Sequence, residues 1–293
     1  MTKQHLVVVR AGDNSLHPHW LAGDGDRTWD LVVSYFGDDP DIFTVDDVVR
    51  IDSKGPKWPA LYELFSLYPN LATDYNYIWL PDDDLMAYKA DINRLFDVCV
   101  AYGLEVGHPG LTWNSYCAHL ITLRNDDTRL RYTNYVELMA PCLSAALLDR
   151  TRCYFNKTLS GWGLELAFAK FASDTRTTVA LIDEVTVRHT RPVGGPNYKY
   201  MRDKNISPWD EMRALCRFLD IDERPIVETY SAVLANGRRI DRGRRDRLFD
   251  FRMLAGWLAA LKETPHPRAL ARRMAGYTYK ALRQIPDRVI EYG

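Results

Sequence analysis

The apolar positions of this chain fall first into two unbroken runs, HLVVV at 5–9 and WDLVVSYF at 29–36. Being continuous and β-branched instead of alternating, they predict strands covered on both faces, as in a parallel sheet. After KGPKW the period changes. Leu61, Leu64, Phe65 and Tyr68 share one helical face, with Pro59 in the first turn and Pro69 as the stop. YNYIWL at 75–80 reads as a third strand, followed from about Tyr88 by a helix that buries Ile92, Leu95, Phe96 and Cys99 and ends on Gly103 as a left-handed cap. Further strands are expected at 117–123, 131–138, 178–182 and 185–189, with helices at 144–155 and from SGWGLELAFAKFA onward. Such alternation predicts an α/β fold, a mixed and mostly parallel sheet flanked by helices, over residues 1–200. Residues 201–293 read as helical and are expected to form a C-terminal extension.

Composition narrows the class. At 293 residues and 46% hydrophobic, with 8 Trp, 17 Tyr and 10 Phe, the chain can bury a full core and is not a disordered one. The opening MTKQHLVVVR has too short an apolar run for a signal peptide, and no stretch elsewhere approaches a spanning helix, so the expected location is cytoplasmic. Cys99, Cys117, Cys142, Cys153 and Cys216 show no metal or redox spacing and are expected as reduced thiols. The net charge of −1 hides an asymmetry: 14 Lys and Arg face 6 Asp and Glu from residue 236 on, against 24 and 33 before it. That basic segment suits a solvated helical face pairing within the fold, or peripheral contact of 236–293 with anionic lipid at the inner membrane; nucleic acid is not expected.

The chemistry gathers where strands end. IWLPDDDL runs a buried strand into Asp82, Asp83 and Asp84, carboxylates that need a cation if they are held near the core. Asp82 and Asp84, one residue apart, project the same way and suit one hard dication; the alternative is an acidic turn capping the next helix. SGWGLE sets two glycines around Trp162 before a helix, where backbone can approach a ligand and the helix end favours an anion. Glu165 follows, either as a general base or as a helix-start carboxylate with an electrostatic role. His189, in VTVRHTRP, closes a β-branched run; it is a manganese ligand or a structural histidine. No G-x-G-x-x-G follows the first strand, which disfavours a dinucleotide dehydrogenase.

In this order the motifs resemble the GT-A fold of nucleotide-sugar-dependent glycosyltransferases and are similar to the galactosyltransferases, which carry Gly-Trp-Gly before an acidic pair. More closely, VVRAGDNSLHPHWL, KGPKW, IWLPDDDL, HPGL, YVELMAPCLS, WGLE and VRHTRP resemble a family known in plants under the name of lysine-ketoglutarate-reductase trans-splicing-related proteins, whose shared domain has no established function. The resemblance spans about residues 5–195. It implies a GT-A-like domain in which Asp84 and His189 ligate Mn2+ or Mg2+ and Asp82 meets the metal, its water shell or the ribose. Arg10, Ala11 and Gly12 would begin the nucleotide pocket, Asp38 would face base or ribose, Asp83 would lie against the donor, and Lys57 would meet phosphate. Trp162 and Gly163 would contact the donor sugar, and Glu165 would accept the acceptor's proton. Leu166 stands where the galactosyltransferases have a second acid, so Glu137 in YVELMAP is the substitute candidate.

The expected function is therefore a metal-dependent, inverting glycosyltransferase that takes sugar from a nucleoside diphosphate, a UDP-sugar foremost, to a glycan or lipid-linked acceptor of a surface polysaccharide. HPGLTWNSYCAH, with His108, Trp113, Tyr116 and His119, is a candidate sugar-facing stretch or a packed connection. Two other classes fit the same residues: a non-catalytic nucleotide- or glycan-binding module, and a metal-dependent phosphohydrolase or nucleotidyltransferase.

Overall fold

The computed structural model describes residues 3–192, 196–221, 227–243 and 247–283. Among them, strands β1 (His5–Ala11), β2 (Trp29–Tyr35), β3 (Val48–Asp52), β4 (Tyr77–Trp79), β5 (Leu85–Met86), β6 (Val106–Leu111), β7 (Thr128–Thr133), β8 (Cys142–Ser144), β9 (Val179–His189), β10 (Thr229–Leu234) and β11 (Arg239–Asp241) build an 11-stranded sheet. Its order is β11-β10-β7-β9-β6-β8-β4-β1-β2-β3, with β5 paired to β9 off this path. The sheet is mixed, as expected. Parallel pairing runs through β3, β2, β1 and β4 and recurs between β6 and β9; β8, β7, β10, β11 and β5 pair antiparallel. The parallel majority thus holds only for the N-terminal half.

Every residue of β1 is buried, because its two faces feed two apolar clusters. Val7 and Val9 join one, together with α2 (Lys89–Ala101), α7 (Arg247–Trp257) and α8 (Pro267–Arg283). Leu6 and Val8 join the other, with α1 (Lys57–Leu67), α3 (Ala145–Thr151), α4 (Leu164–Phe171) and α6 (Pro208–Leu219). Helix α5 (Pro196–Asp203) precedes α6. This two-sided cover is the physical reason for the unbroken apolar run.

Several elements depart from the sequence pattern. The stretch expected as a strand at 117–123 holds only a 3-10 turn, Leu120–Thr122, and the strand is instead β6, written VGHPGL. Pro109 has no N–H to give a ladder, and the β6–β9 register shifts between Pro109 and Gly110. A Cβ on Gly107 would stand 2.7 Å from the Cys99 sulfur, so α2 lies too close for any larger residue. The strands expected at 178–182 and 185–189 are one strand, β9. β3, a partly exposed strand at the sheet's end, was not anticipated.

The described residues of the C-terminal third are mostly helical, and they also add the β10–β11 hairpin to the sheet. Phe249, Met253, Trp257, Leu270 and Met274 of α7 and α8 enter the same cluster as β1. Their anchor is a buried ion pair. Arg131 on β7 donates from Nε and a terminal nitrogen to Asp183 on β9, both at 2.8 Å, with both side chains inaccessible to solvent. The guanidinium also bonds the Leu123 carbonyl, which accepts from the Trp257 indole as well. Of the basic segment expected at 236–293, residues 244–246 and 284–293 lie outside the described residues. No helix among the described residues is long and apolar enough to cross a membrane. The five cysteines are free thiols.

Candidate functional site

The pairing pattern makes β1, β2, β4, β6 and β9 run in one direction, so their carboxyl ends share one edge of the sheet, where ligands of open α/β sheets bind. Asp82, Asp83 and Asp84 follow β4 there, and His189 closes β9. The segment between β7 and β8 returns to the same edge, for Asp82 donates its backbone N–H to the Met139 carbonyl at 2.7 Å. Glu137 therefore arrives on a loop and not, as expected, on a strand.

Asp84 and His189, 105 residues apart, meet at 3.2 Å between Oδ2 and Nε2. The histidine is held from behind: its Nδ1 lies 2.6 Å from the Tyr116 carbonyl, and its backbone N–H donates to the Ser115 hydroxyl at 3.1 Å. Nδ1 carries the proton given to that carbonyl, which leaves Nε2 facing the carboxylate. Burial alone would lower this imidazole's pKa, but the Asp84 carboxylate and the Tyr116 carbonyl outweigh it and push it up to about 9. The other Asp84 oxygen, Oδ1, is buried without a hydrogen-bond partner.

These features fit a dication. A carboxylate oxygen shut away from water without a donor calls for a cation, and a histidine whose second nitrogen is tied to a carbonyl is the usual form of a ligating one. Carboxylate and imidazole together suit manganese. Among the described residues no three His, Cys, Asp or Glu side chains gather closely enough to hold a metal by themselves. A metal held here would have two protein ligands, Asp84 and His189, and would draw the rest of its set from other oxygens.

Asp82 and Asp83 are differently engaged. Asp82 receives Lys57 Nζ at 2.6 Å, and Lys57 spends its other donors on the carbonyls of Leu80 at 2.8 Å and Leu138 at 2.9 Å. An ammonium has three donors, so Lys57 is a brace between α1, β4 and the 134–141 loop and has none left for phosphate. Desolvation raises the Asp82 pKa, against the pull of Lys57. Asp83 accepts from the Gly12 N–H at 2.9 Å and lies 3.3 Å from Arg191, tying the end of β1 to the segment after β9; burial pushes its pKa up to about 6.

The N-terminal candidates are spread out. Ala11 is fully buried at the end of β1. Arg10 is buried too, donating to the Ser34 hydroxyl at 2.9 Å and to the carbonyls of Ser53 at 2.9 Å and Gly55 at 2.6 Å. It is a clamp beneath the edge and does not present its guanidinium to a nucleotide. Asp38 is exposed beyond β2, where Lys54 at 2.7 Å lowers its pKa. His108 and Trp113 are buried, while Tyr116 packs its ring on His266, so the 108–119 stretch is mainly a packed connection.

The Gly-Trp-Gly turn owes its glycines to packing. Gly161 and Gly163 have φ of +86° and +97°, and a Cβ on Gly161 would stand 2.2 Å from the Trp58 indole nitrogen. Its amides are already taken. Glu211 of α6 accepts from Leu159 N and Ser160 N at 2.9 Å each, Gly161 N donates to the Thr158 hydroxyl, and Trp162 N donates to the Ser160 hydroxyl. Gly163 N donates to Glu165 Oε2 at 3.0 Å. The turn therefore offers no free N–H to an anion, contrary to expectation. What it presents is the half-buried Glu165, pushed by burial up to about 7, and Trp162, whose indole donates to the Tyr198 hydroxyl at 3.0 Å. Glu137 is likewise pushed to about 7 by burial, and its Oε2 has no hydrogen-bond partner. The charges of Glu137, Glu165 and Asp82 all reach the Tyr198 hydroxyl, whose pKa rises by burial first and then by these carboxylates. Two residues were missed: Arg191, inside the VRHTRP motif already noted, and Tyr198, for which the sequence holds no signal.

Residues 47–217, more than half of the chain, match the model of a family described as "Protein of unknown function (DUF707)". The match takes in Lys57, the three aspartates, Glu137, Glu165 and His189 and leaves out Arg10, Ala11 and Gly12. No curated protein matches the sequence. Among solved structures the chain is similar to TarS of S. aureus, at 10% identity with 97% of this chain and 53% of that one covered and a TM-score of 0.46. A second structure, "TarS 1-349", has 11% identity, 96% and 90% coverage and a TM-score of 0.46; A197 from STIV has 11%, 82% and 94%, and 0.37. This chain spans about half the length of the longer TarS chain. Likenesses this distant say nothing of activity. The family match is of another order, and by it the chain belongs to DUF707, a family of proteins of unknown function.

Proposed function

We propose that this protein is a metal-dependent glycosyltransferase of GT-A type that uses a nucleoside-diphosphate sugar, a UDP-sugar first among them, and passes the sugar to a hydroxyl of a glycan or lipid-linked acceptor. The observation that carries this reading is the meeting of Asp84 and His189 at 3.2 Å with a bare carboxylate oxygen beside them. A two-ligand site leaves most positions to the substrate, which suits one ion shared with a diphosphate. Two-ion phosphate hydrolysis wants more acids converging than the described residues offer.

In the reaction the acceptor oxygen forms a bond to the anomeric carbon as the bond from that carbon to the diphosphate oxygen breaks, and the nucleoside diphosphate leaves with the electron pair. Bound Mn2+ or Mg2+ would supply charge neutralisation to the diphosphate. Glu165, or Glu137 from the facing loop, takes the acceptor's proton as the new bond forms. Arg191 gives one terminal nitrogen to Asp83 and the other to the Asn14 carbonyl, but its side chain is 42% exposed. Its remaining hydrogens are therefore within reach of phosphate oxygens, as those of the fully engaged Lys57 and the buried Arg10 are not. Asp82, held by Lys57, faces the ribose or the ion's water shell, and Trp162 lies against the sugar. Inversion, a surface-polysaccharide acceptor and attachment of 236–293 to the inner membrane from the cytoplasmic side belong to this proposal as its finer part.

Thermal unfolding with UDP-sugars, with and without Mn2+, tests it. Binding linked to the native state raises the melting temperature, and the rise should require both ligands together and vanish in Asp84→Ala. A panel of nucleotide sugars that leaves the melting temperature unmoved in the presence of Mn2+ would overturn the reading.

A further inference from the structure

The loop that holds His189 is itself held by the C-terminal helix. His189 is locked to residues 115–116 by three bonds: its Nδ1 to the Tyr116 carbonyl, its backbone N–H to the Ser115 hydroxyl, and the Tyr116 N–H to the His189 carbonyl at 3.1 Å. The next residue is gripped from α8. Arg273 donates to the Cys117 carbonyl at 2.7 Å and lies 3.2 Å from its sulfur, across 156 residues of chain. His266, just before α8, sets its ring 5.2 Å from that of Tyr116, tilted by 51°. The helix is a firm base for this grip. Leu270 and Met274 are buried in the core, and Tyr277 meets Trp257 edge-on at 5.4 Å.

From this geometry we infer that Arg273 is a positioning residue for His189. It fixes the 115–117 loop so that the Tyr116 carbonyl stays under Nδ1 and Nε2 stays aimed at Asp84. The inference rests on the reading of His189 as a metal ligand, and it gives the C-terminal helix a part in the site that lies outside the family match. Both contacts come from one terminal nitrogen, Nη1, whose hydrogens the planar guanidinium holds in fixed directions toward the carbonyl and the sulfur, whereas a lysine ammonium turns freely on its stem. Groups that orient a ligating histidine through its second nitrogen typically change metal affinity ten- to a hundredfold when removed.

The test uses the full chain as Arg273→Met and Arg273→Lys. The first readout is the His189 Nδ1–H proton in the metal-free protein, assigned by its loss in His189→Gln. In the parent it is expected far downfield and protected from exchange with water. It should broaden away in Arg273→Met and return in part in Arg273→Lys, with the melting temperatures of the folded variants close to the parent's. The second readout is Mn2+ binding in the presence of UDP, followed by electron paramagnetic resonance, where Arg273→Met should weaken binding about tenfold or more. A Nδ1–H signal as sharp and protected in Arg273→Met as in the parent overturns the inference. A parent that shows the protected signal yet binds no Mn2+ with UDP overturns the glycosyltransferase reading instead, and the proton readout still decides the coupling.

Discussion

Glu165→Gln probes the candidate base through stability and rate together. The glutamine amide oxygen keeps an acceptor for the Gly163 N–H and removes only the ionisation. In the parent, burial raises the Glu165 pKa from 4.5 to about 7, while its own N–H and that of Gly163 pull the other way; no cation is among the causes. The folded state therefore keeps a proton between pH 4.5 and 7 that the unfolded chain has lost. Stability from this group is fully present below pH 4.5 and is lost as pH rises through 7. At 1.36 kcal/mol per pKa unit the loss is about 3 kcal/mol, an upper bound for a half-buried carboxyl. Urea unfolding of parent and variant from pH 4.5 to 8 should show Glu165→Gln gaining up to that amount on the parent, since all other titrating groups cancel in the difference. The rate carries the opposite sign. A base works as carboxylate, so parent kcat/KM should climb with pH to a plateau above 7, and the variant should fall by about two to four decades. Tyr135 and Tyr198, whose pKa values rise chiefly by burial, stay neutral across this range. A stability difference flat from pH 5 to 8 would refute the burial argument. Loss of the pH-dependent limb in Glu137→Gln, with the limb intact in Glu165→Gln, would move the base to the 134–141 loop.

Two further outcomes test the frame that holds the site. Arg131→Met leaves the buried Asp183 carboxylate with only the Thr128 hydroxyl at 2.5 Å and the Asn125 N–H at 2.9 Å; the expected loss is about 3–5 kcal/mol, read from urea unfolding of the full chain, and a loss below 1 kcal/mol would mean the pair is not a lock. Gly161→Ala sets a Cβ against the Trp58 indole at positive φ, which should cost about 1–3 kcal/mol and blue-shift or quench tryptophan fluorescence; an unchanged melting temperature would show that the turn has room.

Much of the candidate site's geometry was legible because its residues stand at strand ends. Burial on both faces marks β1 and β2 by composition alone, and an acid after one strand and a histidine at the end of another can meet if both strands point the same way. They do, and Asp84 finds His189. β6 was hidden for a packing reason: close approach of α2 demands glycine at 107, and a proline at the register shift erases the apolar pattern that would have named it. The cations misled for a deeper reason. Lys57 and Arg10 look free in a sequence, yet their donors go to carbonyls of Leu80, Leu138, Ser53 and Gly55, and Arg273 reaches the carbonyl of Cys117. Every residue has a carbonyl, so no letter marks the one that will be an acceptor, and a lysine at a strand end reads the same whether it is spent or not. Under the proposed function, the charge of a bound diphosphate would then be met by Arg191 and by an ion on Asp84 and His189. Lys57 acts one step back, keeping Asp82 and the Glu137 loop in register with the edge that the sugar would approach.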